Sequence, residues 1–366
     1  MRLSHTLSSY IARQYALHFV MVLALFVFLI FSFDIVELMR RAAGKPGIGM
    51  GMIFELAALK FPHAMQATFP FAVLFGSMVT FWRLTRSHEL VVTRSAGVSA
   101  WQFLLPVLVV TILIGLFRIA VINPFAAVML ARFDRIEAVH LKSGSSALTL
   151  AAGGVWLRQS GAEGQVVLRA SSISVVGSRV ELKSVIAFLY RGTDRFAGRI
   201  DAENAVLGDG YWDLRKAWLH QPEEKAVFAA THRLPTELTL ARIQDGFAPP
   251  ETMSFWDLPN FITSLKAAGF SALRHRLHLH SLLAAPMLMM AMVLLAATFT
   301  LRHVRHGGTT GIVGLGVTTG FLVYFFSDVS FALGLSSGIP VVLAAWTPAS
   351  VAGLIGIALL LHLEDG

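Results

Sequence analysis

Between residues 133 and 276 the chain has no stretch long enough and apolar enough to cross a bilayer, whereas three such stretches precede this gap and three follow it. A spanning helix needs about 20 mainly apolar residues. Residues 14–33, 61–82 and 95–117 contain no Asp, Glu, Lys or Arg, and neither do 277–301, 306–327 and 329–363. The pattern predicts an α-helical polytopic membrane protein of six transmembrane helices, with a sizeable domain inserted between helices three and four. Only 14% of residues are charged, against about 25% in ordinary soluble domains. The formal net charge of +8 does not call for nucleic acid, because basic residues gather beside spans, where they fix orientation and meet anionic headgroups. The chain has no cysteine, which excludes a disulfide framework and a thiolate metal site. The apolar run 16–33 exceeds a signal-peptide core and is followed by Asp34, Glu37, Arg40 and Arg41 rather than a small-residue cleavage site, so it reads as a retained helix.

Orientation follows from Lys and Arg at the span ends. Arg2 and Arg13 at the N-terminus, Arg83, Arg86 and Arg94 between spans two and three, and Arg302 and Arg305 between spans four and five fall on one side in a six-span layout. That side is expected to be the cytoplasm, with both termini there and the inserted domain in the periplasm. Arg40, Arg41 and Lys45 sit on the opposite side. They are either a basic loop overruled by its neighbours or a cluster that meets an anionic group, and Asp34 and Glu37 are close enough in sequence to pair with the arginines.

The insert reads as β. Residues 153–158, 165–169, 179–182, 185–191, 212–219 and 226–232 are short runs rich in Val, Leu, Phe, Trp and Tyr, separated by Gly, Ser or Asp. Such spacing fits a sandwich, a jelly roll or an open barrel. Pro249-Pro250 ends the domain, and an amphipathic helix over 256–268 leads back to the membrane, with Gly269 as its stop. The expected division is 1–132 for helices one to three, 133–250 for the β domain and 251–366 for the connecting helix and the last three spans.

No G-x-x-x-x-G-K-[ST] motif is present, so ATP chemistry, if used, belongs to another subunit. Residues 86–97 read RSHELVVTRSAG. Ser87 is placed to cap a short helix, Glu89 lies where its dipole favours an acid, Gly97 suits its end, and Ser99 can cap the next span. This is either a plain interfacial turn or a coupling helix that offers Leu90 and Val91 to a partner. Gly307, Gly311, Gly316 and Gly320 form two G-x-x-x-G pairs in span five, which serve helix packing or a mobile gate. His275, His278 and His280 lie beside Arg274 and Arg276 without H-E-x-x-H, and read as a basic start to span four rather than a metal site. Arg118, near the outer end of span three, either snorkels to the interface or faces an anion. Pro62, Pro70, Pro106 and Pro286 interrupt spans and decide nothing.

The segments DIVELMRRAAG (34–44), SHELVVTRSAG (87–97), SAWQFLLP (99–106), NFITSLKAAG (260–269) and Gly338-Ile339-Pro340, in this order around a β insert, resemble the YjgP/YjgQ (LptF/LptG) permease family of lipopolysaccharide export. The SHELVV wording and the first loop tilt it toward the LptG branch. The resemblance covers nearly the whole chain and implies a jelly-roll insert and a permease without catalytic residues or a cofactor of its own. It implies a heterodimer with the paralogous LptF, two cytoplasmic LptB subunits that use ATP, the bitopic LptC and the periplasmic LptA bridge. The cargo implied is lipopolysaccharide taken from the outer leaflet of the inner membrane. Spans one and five are similar to the family's lateral gates. Arg40 and Arg41, with Lys45 and Arg118, are the expected cargo contacts. Arg86, Ser87, His88, Glu89, Leu90, Val91 and Arg94 match the coupling helix. A mechanotransmission permease of the lipoprotein-release kind, usually with four spans, is the alternative, as is the LptF paralogue.

Overall fold

The computed structural model describes residues 5–43, 49–95, 97, 99–140, 148–151, 154–161, 164–176, 179–191, 195–222, 225–236, 238–239, 243, 248–267, 271–300 and 309–365. They divide into two compact units. The first holds 1–141, 250–259 and 273–366, and the second holds 142–249 and 260–272.

The first unit is helical. Its elements are α1 (His5–Ala42), α2 (Met50–Arg86), α3 (Glu89–Ser95), α4 (Ala100–Phe117), a π-helical turn (Arg118–Ile122), α5 (Asn123–His140), a 3-10 turn (Pro250–Thr252), α7 (Leu273–Thr300), α8 (Thr309–Leu335) and α9 (Val341–Asp365); α6 (Leu258–Ala267) joins the units. Among the described residues six helices are long and apolar enough to cross a membrane: α1, α2, α4 continued through α5, α7, α8 and α9. A helix is the form that apolar segments take in lipid, because it satisfies every interior backbone group within itself.

The spans run past the apolar cores read from sequence. α1 extends to Ala42 and α2 begins at Met50, since charged residues beyond the hydrocarbon depth do not oppose helix formation. Asp328 parts two charge-free stretches in the sequence but lies inside α8, and the turn between the last two spans comes at Gly338-Ile339-Pro340, just before Val341, where that motif stands ahead of the last span. There Ser337 has φ 60°, and Gly338 N–H closes on Leu333 C=O at 3.1 Å.

α2 and α7 form the centre. Their most apolar windows are 61% and 67% buried, against 6% for α1 and 17% for α8. Small residues permit this packing. A Cβ on Gly115 of α4 would meet Pro286 at 2.8 Å, one on Gly76 would meet the Phe19 backbone at 2.9 Å, and one on Gly356 would meet Leu294 at 2.7 Å. The main core joins Ile11, Tyr15 and Phe19 of α1 to Phe69, Val73 and Phe81 of α2, Phe103 and Leu104 of α4, and Met289 and Val293 of α7.

The second unit is an antiparallel sheet: β1 (Leu148–Ala151), β2 (Gly154–Gly161), β3 (Gly164–Ala170), β4 (Ser172–Val176), β5 (Arg179–Arg191), β6 (Arg195–Leu207), β7 (Tyr211–His220) and β8 (Val227–Pro235). The order is β1-β2-β3-β5-β6-β7-β8, with β4 also on β5. The all-β expectation for the insert holds, but β1, β4 and β6 were not read from sequence, and the two runs 179–182 and 185–191 are one strand.

A crease explains that split. In β5 the buried residues are Val180 and Leu182, then Val185 and Ala187. In β6 they are Ile200 and Ala202, then Ala205, and in β7 Trp212 and Leu214, then Ala217. Each strand changes the parity of its inward positions at one row. The register sets Val185 against Ala202 and Ala202 against Ala217, so Ser184, Glu203 and Lys216 lie across that row. Ser184 and Lys216 both have φ 50°, a left-handed conformation typical of bulges. Lys216 Nζ meets Glu203 Oε2 at 2.7 Å along the crease. The helix expected over 256–268 is Leu258–Ala267, with Trp256 exposed before it.

Candidate functional site

At one end of the helical unit α3 bridges α2 and α4. α2 stops because His88 takes φ 59°, and the chain leaves α3 through Gly97 at φ 80°. Ser99 and Gln102 then form a reciprocal capping box that starts α4. Ser87 was expected to cap α3, but it closes α2 instead: its N–H reaches Arg83 C=O at 2.9 Å, and its hydroxyl lies 3.0 Å from the same carbonyl. The Ser87 hydroxyl also lies 2.9 Å from Glu89 Oε1, which Tyr10 O–H approaches at 3.4 Å. No cation sits within ion-pair distance of Glu89 among the described residues. Leu90, expected to face outward, is 6% exposed and joins the main core, while Val92 is 66% exposed. Arg86 stacks on Trp82 with its guanidinium carbon 5.3 Å from the ring centre. Val91 and Arg94 belong to α3.

The opposite end carries paired charges. Arg40 donates from Nε and Nη2 to the two oxygens of Glu37, at 2.8 and 2.9 Å. Arg41 donates to Glu137 of α5. Asp34, expected to pair with the arginines, instead accepts from Lys60 of α2 at 2.5 Å, because Lys60 approaches from the facing helix. Arg132 donates to Glu55 at 2.9 Å. These contacts tie α1, α2 and α5 together. The Arg40 side chain is still 75% exposed, against 37% for Arg41. Lys45 lies outside the described residues.

Arg118 is half-buried rather than fully extended into solvent. Its Nε and Nη1 are buried without an acceptor, and its guanidinium carbon lies 6.0 Å from the Phe69 ring centre. His275 and His278 also turn inward rather than forming a basic surface: His275 is buried, and His278 Nε2 is buried without a partner. Of the glycines, Gly316 and Gly320 pack on Met78, Phe71 and Leu74 of α2, while Gly311 faces open space. Gly307 lies outside the described residues.

The family model described as lipopolysaccharide export system permease LptF/LptG matches residues 9–362. The chain belongs to this family. It is similar to the lipopolysaccharide export system permease protein LptG of Escherichia coli K12, with 26% identity over 97% of this chain and 98% of that protein. It is 25% identical to the LptG of Haemophilus influenzae KW20, over 84% of this chain and 85% of that protein. Six candidate membrane helices with an antiparallel β region between the third and fourth fit LptF/LptG membership, and the expected family is borne out.

Sequence reasoning missed Tyr10, Lys60, Arg132 and Glu137, whose partners lie 79, 26, 77 and 96 positions away. Only one weak signal was available, that a charge flanking an apolar run in one LptF/LptG span needs an opposite charge at the same depth. Asn123 and Trp256 were missed as well. Asn123 Oδ1 accepts from Phe255 N–H at 2.9 Å, and Trp256 Nε1 donates to Ala120 C=O at 3.3 Å. Trp256 thus donates to a carbonyl within the π turn.

Proposed function

We propose that this chain is the permease subunit of an ABC transporter that extracts lipopolysaccharide from the outer leaflet of the inner membrane and passes it to a periplasmic bridge. ATP is hydrolysed by separate LptB-type subunits. The observation that carries the ATP-driven part is α3, a short helix anchored by Leu90 in the bundle core, with Glu89 met by hydroxyls among the described residues and Val92 outward. An anchored helix transmits displacement, and a carboxylate with no cation in ion-pair reach among the described residues suits an arginine or lysine of a motor subunit.

The distribution of Lys and Arg supports a cytoplasmic position for α3 and both termini and a periplasmic one for the β sheet. α1 and α8, the least buried spans, suit lateral faces through which a lipid and a paralogous LptF-type partner approach. LptC- and LptA-type partners receive the cargo. Among the cations expected to meet its phosphates, Arg40 has the exposure for contact, and Arg41 and Lys45 flank it. Each acyl CH₂ held in the membrane is worth about 0.8 kcal/mol, so extraction of a multi-chain lipid requires an external energy source.

The test is Glu89→Lys in the complex reconstituted with its ATPase subunits. The protein is expected in the membrane at wild-type level, with lipopolysaccharide-coupled ATP hydrolysis lost. Unchanged hydrolysis and lipid release would sink the coupling role.

A further inference from the structure

Trp256 lies between the 3-10 turn and α6, in the segment of the helical unit that precedes α6, and its side chain is 61% exposed. The segment holds the ring in one attitude. Phe255 N–H donates to Asn123 Oδ1 at 2.9 Å, Trp256 Nε1–H donates to Ala120 C=O at 3.3 Å, and Trp256 N–H donates to Ser254 Oγ at 3.2 Å. Phe255 packs edge-on against the indole, with ring centres 5.2 Å apart. Glu251, in the 3-10 turn, meets Arg274 of α7 at 3.5 Å. With its one polar group satisfied, the rest of the indole is apolar surface that this chain leaves uncovered.

The carbonyl it reaches shows which side of the helical unit the ring borders. Along α4, the π turn and α5 the exposed apolar residues include Leu105, Val109, Leu113, Leu116, Val121 and Phe125. Their spacing is helical, so they form one stripe on the outside of the span. Ala120 is itself exposed within that stripe. Depth then sets what surrounds the ring. Ala100, the first residue of α4 beside the α3 end, and Ala120 are separated by a helical rise of about 30 Å, the thickness of a hydrocarbon core. Arg118, the first charge after the charge-free run 95–117, lies two residues before Ala120. Trp is enriched at this level of membrane proteins because a ring with one polar end matches the boundary between headgroups and acyl chains.

We propose that Trp256, braced by Phe255, is an interfacial anchor whose indole inserts at the headgroup–acyl boundary of the bilayer, at the end of span three away from α3. The occupant is the bilayer itself, engaged through apolar area and ring shape, and not a lipid held by its phosphate. The anchor fixes the level at which the chain enters α6 and α7 after the β sheet. It requires only that span three crosses a membrane, so it stands or fails separately from ATP-driven export.

The experiment uses the full chain in phosphatidylcholine vesicles and reads tryptophan emission in wild type and Trp256→Phe, whose difference is the emission of Trp256. Acyl chains brominated near their carbonyl end are expected to remove most of that emission, while chains brominated near the methyl end, and iodide in the water, remove little. If Trp256→Phe does not fold, Trp256→Tyr supplies the difference. Iodide quenching equal to or stronger than that by either brominated lipid means that the ring projects into water. Strongest loss with bromine near the methyl end places the ring in the hydrocarbon centre. No loss with any of the three quenchers means that protein covers it. Each of these results overturns the proposal.

Discussion

At the end of the membrane unit that carries α3, the Glu89 carboxylate is met by hydroxyls from Ser87 and Tyr10. At the other end Glu37, Glu137, Asp34 and Glu55 are each met by a cation from α1, α2 or α5. Hydroxyls orient a carboxylate without cancelling its charge, whereas ion pairs cancel it and cross-link the helices. The first arrangement suits a surface that engages and releases a partner. The second suits a frame that keeps its shape near an anionic cargo, which then competes with internal acids for Arg40 and Arg41.

The hardest blow to this contrast is charge removal at equal geometry. Glu89→Gln keeps an acceptor for Ser87 but no charge, and coupled ATP hydrolysis is expected to fall about tenfold or more, since hydrogen bonds to charged groups contribute about 1.5–3 kcal/mol. Glu37→Gln at the other end is expected to leave hydrolysis within about twofold, because water screens and replaces an exposed ion pair. Measuring both in the same reconstituted complex decides. Equal losses would mean that the two ends do not differ in kind.

Stability sharpens the comparison next. Arg41 holds Glu137, whose side chain is 7% exposed, while Arg40 holds Glu37 at 44%. Removing the cation from a buried carboxylate costs more than removing it from a hydrated one, so Arg41→Ala is expected to destabilise by about 3 kcal/mol and Arg40→Ala by far less, because water solvates Glu37 in its place. Thermal unfolding of the purified variants reads both. The Arg41→Ala/Glu137→Ala double variant should recover part of the loss, which marks a coupled pair. If Arg40→Ala proves the more damaging, the frame does not run through α5.

How much of this was legible depends on how far each cause reaches along the chain. Apolar length revealed the six spans, because hydrocarbon thickness is a local constraint on about 20 residues. Ser99 and Gly97 were legible because capping is local too. Gly338-Ile339-Pro340 marked the turn before the last span because Gly and Pro break helices locally, whereas Asp328 marks no break, since one acid in a long apolar stretch is tolerated within a helix. The strand pair 179–182 and 185–191 was read as two because the crease at Ser184 shifts the alternation by one residue, and a period-2 reading sees a stop there. β6, with Arg199, Asp201 and Glu203 outward, lacks the aromatic and β-branched density that marked its neighbours. Leu90 looked available because nothing in seven residues tells which face of a short helix the bundle covers. The π turn that opens at Arg118 was not read because it has no sequence signature.

The smallest effect tests whether Glu89 is committed to its own chain. Tyr10 O–H lies 3.4 Å from Oε1, long for an O–H···O bond, and Tyr10 is 40% exposed. Ser87 Oγ is at 2.9 Å and also serves the end of α2. Tyr10→Phe is expected to cost under about 0.5 kcal/mol and Ser87→Ala about 1 kcal/mol, by the usual worth of one hydrogen bond, both read by thermal unfolding. The distinction matters because a strongly held Glu89 would have to break its contacts before it could meet a partner's cation. If Tyr10→Phe destabilises as much as Ser87→Ala while coupled hydrolysis rises, the tyrosine is a brake on that carboxylate. The α3 end would then be internally satisfied like the other, with hydroxyls in place of cations.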